Sequence, residues 1–280
     1  MLELFSYPFV WRALIAVVVA SLVSSVVGVF TVLRGFSTLS AAITHSSFAG
    51  ASIAVIYGVN PLIGALALSL GFSGLTAYAS ESERRADVVI GMIFGFSTAL
   101  AVLFLSLSSS YSAAAWSFIV GDVLGVSWLD LQLLVVVAAV AMGVIFLFYK
   151  EFKFITFDPE AAEAMGLRVR FYHYVMVFLV ALFSVVAIKV VGVILAIVLL
   201  IAPAASAYEF SHDLERMMAA SIVIALASGI LGLVLSILLN VASSALIGIA
   251  VSIAYLASLI ASPKRRKCKD IAKCRVVREL

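Results

Sequence analysis

Long uncharged runs alternate along the chain with short charged or turn-rich interruptions, and the interruptions count the elements. Ala13–Leu33 has no ionised side chain, and roughly 20 apolar residues suffice for a helix to cross the hydrocarbon of a bilayer. Gly35–Ser80 contains no Asp, Glu, Lys or Arg. As one helix it would measure roughly 69 Å, over twice the apolar thickness. It must fold back, and Tyr57-Gly-Val-Asn-Pro61 supplies the turn residues. Met217–Ser262 has the same character and is expected to break around Asn240. Val88–Ser108, Leu129–Tyr149, Phe171–Ile188 and Val190–Tyr208 bring the total to about nine segments. Lys189 is the only charge between the last two, which read either as two tightly joined spans or as one span with a broken neighbour.

Composition turns this pattern into a fold class. The 280 residues are 65% hydrophobic and only 12% charged, with a mean hydropathy of +1.24; soluble domains carry about 25% charge. A water-soluble fold is excluded. The expectation is an all-α integral membrane protein, a bundle of about 8–9 transmembrane helices over residues 1–262, with a basic tail over 263–280. The first span lacks a basic region before it and reads as retained rather than cleaved, and no soluble domain is expected before, after or within the bundle. Lys150, Lys153, Arg168 and Arg170 flank Phe154–Arg170, basic residues crowd the tail, Arg84 and Arg85 mark Glu81–Asp87, and Ser109–Ser127 has neither Lys nor Arg. The basic segments are therefore expected in the cytoplasm and Ser109–Ser127 outside. Nine full spans put the N-terminus outside; a segment that only dips into the membrane puts it inside.

One interruption is built as a helix. In FITFDPEAAEAMGLRVR, Asp158 suits an N-cap, Pro159 the first helical position, and Glu160 the positive end of the helix dipole. Ala161, Ala162, Glu163, Ala164 and Met165 favour helix, and Gly166 suits the residue just past its end. About two turns result, too short to span and marginal alone. The segment is either a well-capped connection or a docking element for a partner protein.

Ser37–Gly50 is the most polar part of any predicted span. On a helix Ser37, Ala41, His45 and Ser52 share roughly one face, with Ser40, Thr44 and Ser47 on the neighbouring stripe. Small hydroxyl residues serve close helix packing in lipid, whereas an ionisable residue in a span marks a path or cavity. The imidazole of His45 suits zinc and borderline divalent cations; the alternative is a satisfied interior histidine. Pro203 removes a helix hydrogen bond and kinks its span, a place for a gate. Asp87 reads as a helix cap, Asn240 as an outer turn residue, Asp122 as part of an outer segment, and Glu209, His212, Asp213 and Glu215 as a solvated cytoplasmic cluster. Cys268 and Cys274 lie in the predicted cytoplasmic tail, where a disulfide is not expected; the tail's basic residues suit anionic headgroups. The chain has no G-x-x-x-x-G-K-[ST] loop and no nucleophile–base pair, so no ATPase or other enzymatic site of its own is expected.

FDPEAAEAMGL resembles the F-D-P-E-x-A-x-x-x-G-[LIV] signature of the metal-cation permeases of ABC importers, which have the cobalamin-importer-like (type II) fold. Val29-Phe-Thr-Val-Leu-Arg34 is similar to that family's G-V-F-x-V-L-R, Asp87-Val-Val-Ile-Gly-Met92 to D-x-x-I-G-[IM], Gly121-Asp122-Val-Leu124 to F-G-[DN]-x-L, and Val191–Leu195 with Leu200–Ala205 to V-G-x-L-L…L-L-x-x-P-A-A. The resemblance runs from about Val29 to Ile260. It implies a homodimer around a central pathway in the prokaryotic cell (inner) membrane. Two separate ABC ATPase subunits would supply ATP hydrolysis, an extracellular metal-binding protein would deliver zinc, manganese or iron as cargo, and neither a resident cofactor nor nucleic acid is involved. By the same resemblance, residues 158–166 are the coupling helix, with Asp158, Pro159, Glu160, Ala161, Glu163 and Gly166 as its contact positions. Ser37, Ser40, Thr44, Ser47, Ser52 and Pro203 are expected to line the pathway, and His45 matches the family histidine of S-L-x-G-D-A-L-S-H-A-x-L-P-G. The Asp of that pattern is Ala41 here, its preceding Gly is Ser40, and its Pro is Ala49. Ala41 brings neither charge nor a second ligand, so two His45 nitrogens across the dimer axis would meet the cargo.

Overall fold

The computed structural model describes residues 8–79, 83–107, 121, 123–211 and 213–262, and among them there are eleven helices and no strand. They are α1 (Pro8–Leu33), α2 (Ser37–Ile56), α3 (Pro61–Ala79), α4 (Glu83–Leu107), α5 (Trp128–Leu147), α6 (Tyr149–Phe157), α7 (Pro159–Ala164), α8 (Val169–Val191), α9 (Val193–Phe210), α10 (Leu214–Leu239) and α11 (Ser243–Ala261). Eight of these are long and apolar enough to cross a membrane, and α3 adds the shorter apolar stretch Pro61–Thr76. These eight and α3 pack as one bundle, and α6 and α7 are too short to cross.

Both expected breaks are present. At the first, Gly58 adopts φ +66°, which lets its N–H reach Val55 O and the Val59 N–H reach Ala54 O, closing the end of α2. Asn60 Oδ1 then accepts from the Leu62 N–H at 3.0 Å and Pro61 opens α3. At the second, Asn240 sits in the left-handed region at φ 54° and ends α10, while Ser236 Oγ donates to Val241 O at 2.6 Å. The two alternatives at Lys189 resolve into two helices, α8 and α9, meeting at Gly192.

Small residues set the helix spacing, as packing in lipid requires. Gly50 and Gly64 face each other so closely that a Cβ on either would overlap the other's carbonyl oxygen. Between α1 and α10, Ser21 Oγ donates to Ala225 O at 3.4 Å and Ser25 Oγ to Ser221 O at 3.2 Å. In α1, α2 and α8 most of the apolar stretch is buried, whereas α4, α5, α10 and α11 leave most of theirs open, for lipid or another protein surface to cover. At one end of the bundle, Phe30 of α1 and Tyr172 of α8 pack on Phe152 of α6 with ring centroids 5.8 Å apart in both pairs. That aromatic cluster fixes α6, and with it the chain leading into α7.

Candidate functional site

Within α2, Ser37, Ala41 and His45 lie one turn apart and are half-buried, forming a stripe that reaches the surface of the single chain. His45 Nδ1 is 3.0 Å from Thr98 Oγ1 on α4, and the ring meets Phe94 edge-on with centroids 4.4 Å apart. Ser40, Thr44, Ser47 and Ser52 are buried. Their hydroxyls donate to carbonyls of their own helix: Ser40 to Ser37 O at 2.7 Å, Thr44 to Ser40 O at 2.8 Å, Ser47 to Ile43 O at 3.1 Å and Ser52 to Phe48 O at 2.8 Å. Thr44 also lies 3.0 Å from Ser184 Oγ of α8. In the single chain these four hydroxyls sit in helix contacts, and Ser52 does not share the open stripe. Pro203 is buried within α9, where it leaves the Leu199 carbonyl without its helical donor. Among the described residues no three or more His, Cys, Asp or Glu side chains converge as a metal cage.

The described spans hold an ion pair that sequence reasoning missed. Lys189 Nζ of α8 lies 2.5 Å from Asp130 Oδ1 of α5, and Ser127 Oγ donates to Asp130 Oδ2 at 2.6 Å while accepting the Asp130 N–H at 3.2 Å. The signal was available locally, because Ser-x-x-Asp is a helix-start pattern, but nothing in the sequence pairs Asp130 with a residue so distant. Of the expected solvated cluster, Asp213 pairs with Arg216 at 3.4 Å and Glu215 with Lys153 at 3.3 Å, whereas Glu209 is buried. Asp122, His212, Cys268 and Cys274 lie outside the described residues.

The short helix α7 forms as its caps dictate. Asp158 Oδ1 accepts the Ala161 N–H at 2.9 Å and Pro159 opens the helix. At the other end the Gly166 N–H reaches Glu163 O at 2.9 Å and the Leu167 N–H reaches Ala162 O at 3.0 Å. This closure needs φ +86° at Gly166, a conformation that a side chain resists. Ala162 alone is buried, whereas Asp158, Pro159, Glu160, Glu163, Met165 and Gly166 are exposed and Ala161 is half-buried. Phe157 and Met165 present apolar surface on either side of the two glutamates. A cavity of about 390 Å³ opens beside this unit, between Lys153 and Phe157 of α6 and Asp213–Arg216. At the same end Arg34 is half-buried with its guanidinium 5.0 Å over the Phe36 ring, and burial brings its pKa down to about 10, which leaves it charged at neutral pH.

A bundle of eight long apolar helices and the shorter α3, with an exposed, doubly capped peg at one end, is matched over residues 6–262 by the model of the ABC 3 transport family. The chain belongs to that family. As an ABC 3 chain it is 34% identical over 263 residues to the manganese transport system membrane protein MntC of Listeria monocytogenes, covering 94% of each. It is also 34% identical over 271 residues to the manganese import system permease protein ScaB of Streptococcus gordonii, covering 96% of this chain and 97% of that one. A chain in the solved structure of PsaBC from Streptococcus pneumoniae in complex with Fab superposes with a TM-score of 0.84 at 31% identity, over 95% of this chain and 96% of that chain. The ABC 3 chain is thus an all-α, multi-pass protein of the bacterial inner membrane with the fold of an ABC permease.

Proposed function

We propose that this ABC 3 chain is the membrane-spanning permease subunit of an ATP-driven importer for a divalent transition metal (zinc, manganese or iron). The observation that carries the reading is α7, a helix outside the membrane-spanning set that is fixed through Phe152 and Ala162 and leaves Glu160, Glu163 and Met165 exposed. In this reading its end of the bundle faces the cytoplasm and α7 inserts into a separate ATPase subunit. Two copies of the chain enclose the pathway, and an extracellular binding protein delivers the metal to the opposite end. Closure of the ATPase dimer on ATP moves α7, and the rigid α6–α7–α8 connection turns that movement into a change between outward- and inward-open arrangements. His45 on each copy supplies a neutral nitrogen for transient contact with the cation, a chemistry that suits passage better than tight holding.

The acidic residues of the described spans lie in their end turns, among them Asp130, which pairs with Lys189; this supports an ATP-driven mechanism over one coupled to ion flow through midplane carboxylates. Co-expression with the partner ATPase tests the assembly. The expected product is a complex of two copies of this chain with two ATPase subunits, seen by native mass spectrometry. A stable chain that carries no ATPase under conditions where the ATPase itself is folded contradicts the reading.

A further inference from the structure

A threonine hydroxyl has one proton to donate and two lone pairs that accept. Thr98 Oγ1 is 2.8 Å from the Phe94 carbonyl oxygen one turn earlier on α4, and 3.0 Å from His45 Nδ1 on α2. A carbonyl oxygen only accepts, so the Phe94 contact takes the hydroxyl proton. The contact with His45 then requires the imidazole to donate, which places the ring proton on Nδ1. The reverse assignment, with the threonine hydroxyl donating to an unprotonated Nδ1 and the ring proton on Nε2, would withdraw that hydroxyl proton from the Phe94 carbonyl.

We infer that Thr98 is a positioning residue for cargo: it holds neutral His45 in the Nδ1–H form, so that the Nε2 lone pair is presented to the cation. Phe94 packs edge-on against the ring and restrains its rotation, and Ala41, one turn earlier on the half-buried stripe, adds no second ligand beside it. The arrangement matches a general rule for metal-binding histidines, in which a hydrogen bond at one nitrogen sets the tautomer and orientation of the other. Here a neutral hydroxyl does this, so the ring gains orientation without a negative charge that would retain a dication. The inference rests on the proposed contact between His45 and cargo.

The test separates the hydrogen bond from that contact. Protein labelled with ¹⁵N in its imidazoles, in nanodiscs at a pH where His45 is neutral, is compared for wild type, Thr98→Val and Thr98→Ser, with His45→Ala used to assign the resonance. Wild type and Thr98→Ser are expected to show a protonated Nδ1 and an unprotonated Nε2, and added Zn²⁺ shifts the Nε2 signal. Thr98→Val, which keeps the shape and loses the hydroxyl, is expected to move toward the Nε2–H form and to lower ATP-driven zinc uptake about 10-fold, with Thr98→Ser close to wild type. An Nε2–H form in the wild type, or an unchanged tautomer in Thr98→Val, overturns the role of Thr98 whatever His45 does. A tautomer shift in Thr98→Val with full uptake in both Thr98→Val and His45→Ala overturns it differently, by removing His45 from transport while the hydrogen bond stands.

Discussion

Lys189 and Asp130 are opposite charges on two spans, and each makes the other tolerable. Replacing Lys189 with Met leaves the Asp130 carboxylate facing apolar surroundings with only Ser127 and its own helix start for support. Loss of one partner of a fully buried pair costs about 3–5 kcal/mol; Lys189 keeps partial exposure, so about 1–3 kcal/mol is expected. Thermal unfolding in detergent reads this as a lower midpoint for Lys189→Met, largely restored when Asp130→Asn is added. His45→Ala is expected to leave that midpoint within about 1 kcal/mol of wild type, as for a half-buried side chain, while lowering metal uptake at least several-fold. Wild-type uptake would take the residue out of the mechanism. His45 was legible because it is the lone ionisable group in a polar stretch of an apolar span. Thr98 and Lys189–Asp130 were not legible, because which turns of two helices face each other is decided by packing that a single sequence does not display. The same limit applies to Ser40, Thr44, Ser47 and Ser52, whose polarity was plain but whose side of the helix was not.

Among the elements, α7 is the one whose sequence specified it most completely, since each terminal residue has a local reason for its place. Asp158, Pro159 and Gly166 act within one turn of themselves, and local chemistry of that kind survives any tertiary arrangement. Gly166→Val forces a β-branched side chain into φ +86°, a strain of about 1–3 kcal/mol on a helix with little else to hold it. The expected outcome is a split: membrane insertion and the melting of the bundle are unchanged, while co-purification with the ATPase and ATP-driven uptake fall at least 10-fold. Equal loss of bundle stability and ATPase association would make the residue merely structural. By contrast α6 escaped sequence reading, which ended the fifth span at Tyr149. Its buried positions, Phe152 and Ile155, follow Phe148 at helical spacing, but the surrounding Lys150, Glu151 and Lys153 make the segment look like a loop. The α8–α9 connection was ambiguous for a related reason: the turn rests on one glycine, Gly192, with no polar residue to mark it.

At the scale of the whole molecule, the open apolar faces of α4, α5, α10 and α11 and the exposed acidic peg describe a part rather than a machine. The apolar segments and the breaks at Gly58 and Asn240 were legible because lipid punishes charge and unpaired backbone so strongly that each interruption shows. In the proposed dimer, what encloses the pathway lies between chains, beyond the reach of one chain's hydrophobic pattern. The central claim is that transport is driven from outside this chain, through α7. Proteoliposomes holding the purified chain, with and without its ATPase partner and loaded with a metal-sensitive dye, test it in one assay. Metal entry is expected only when the ATPase is present and ATP is supplied on the side of α7. Full entry driven by an ion gradient, with the chain alone in the membrane, would contradict the account.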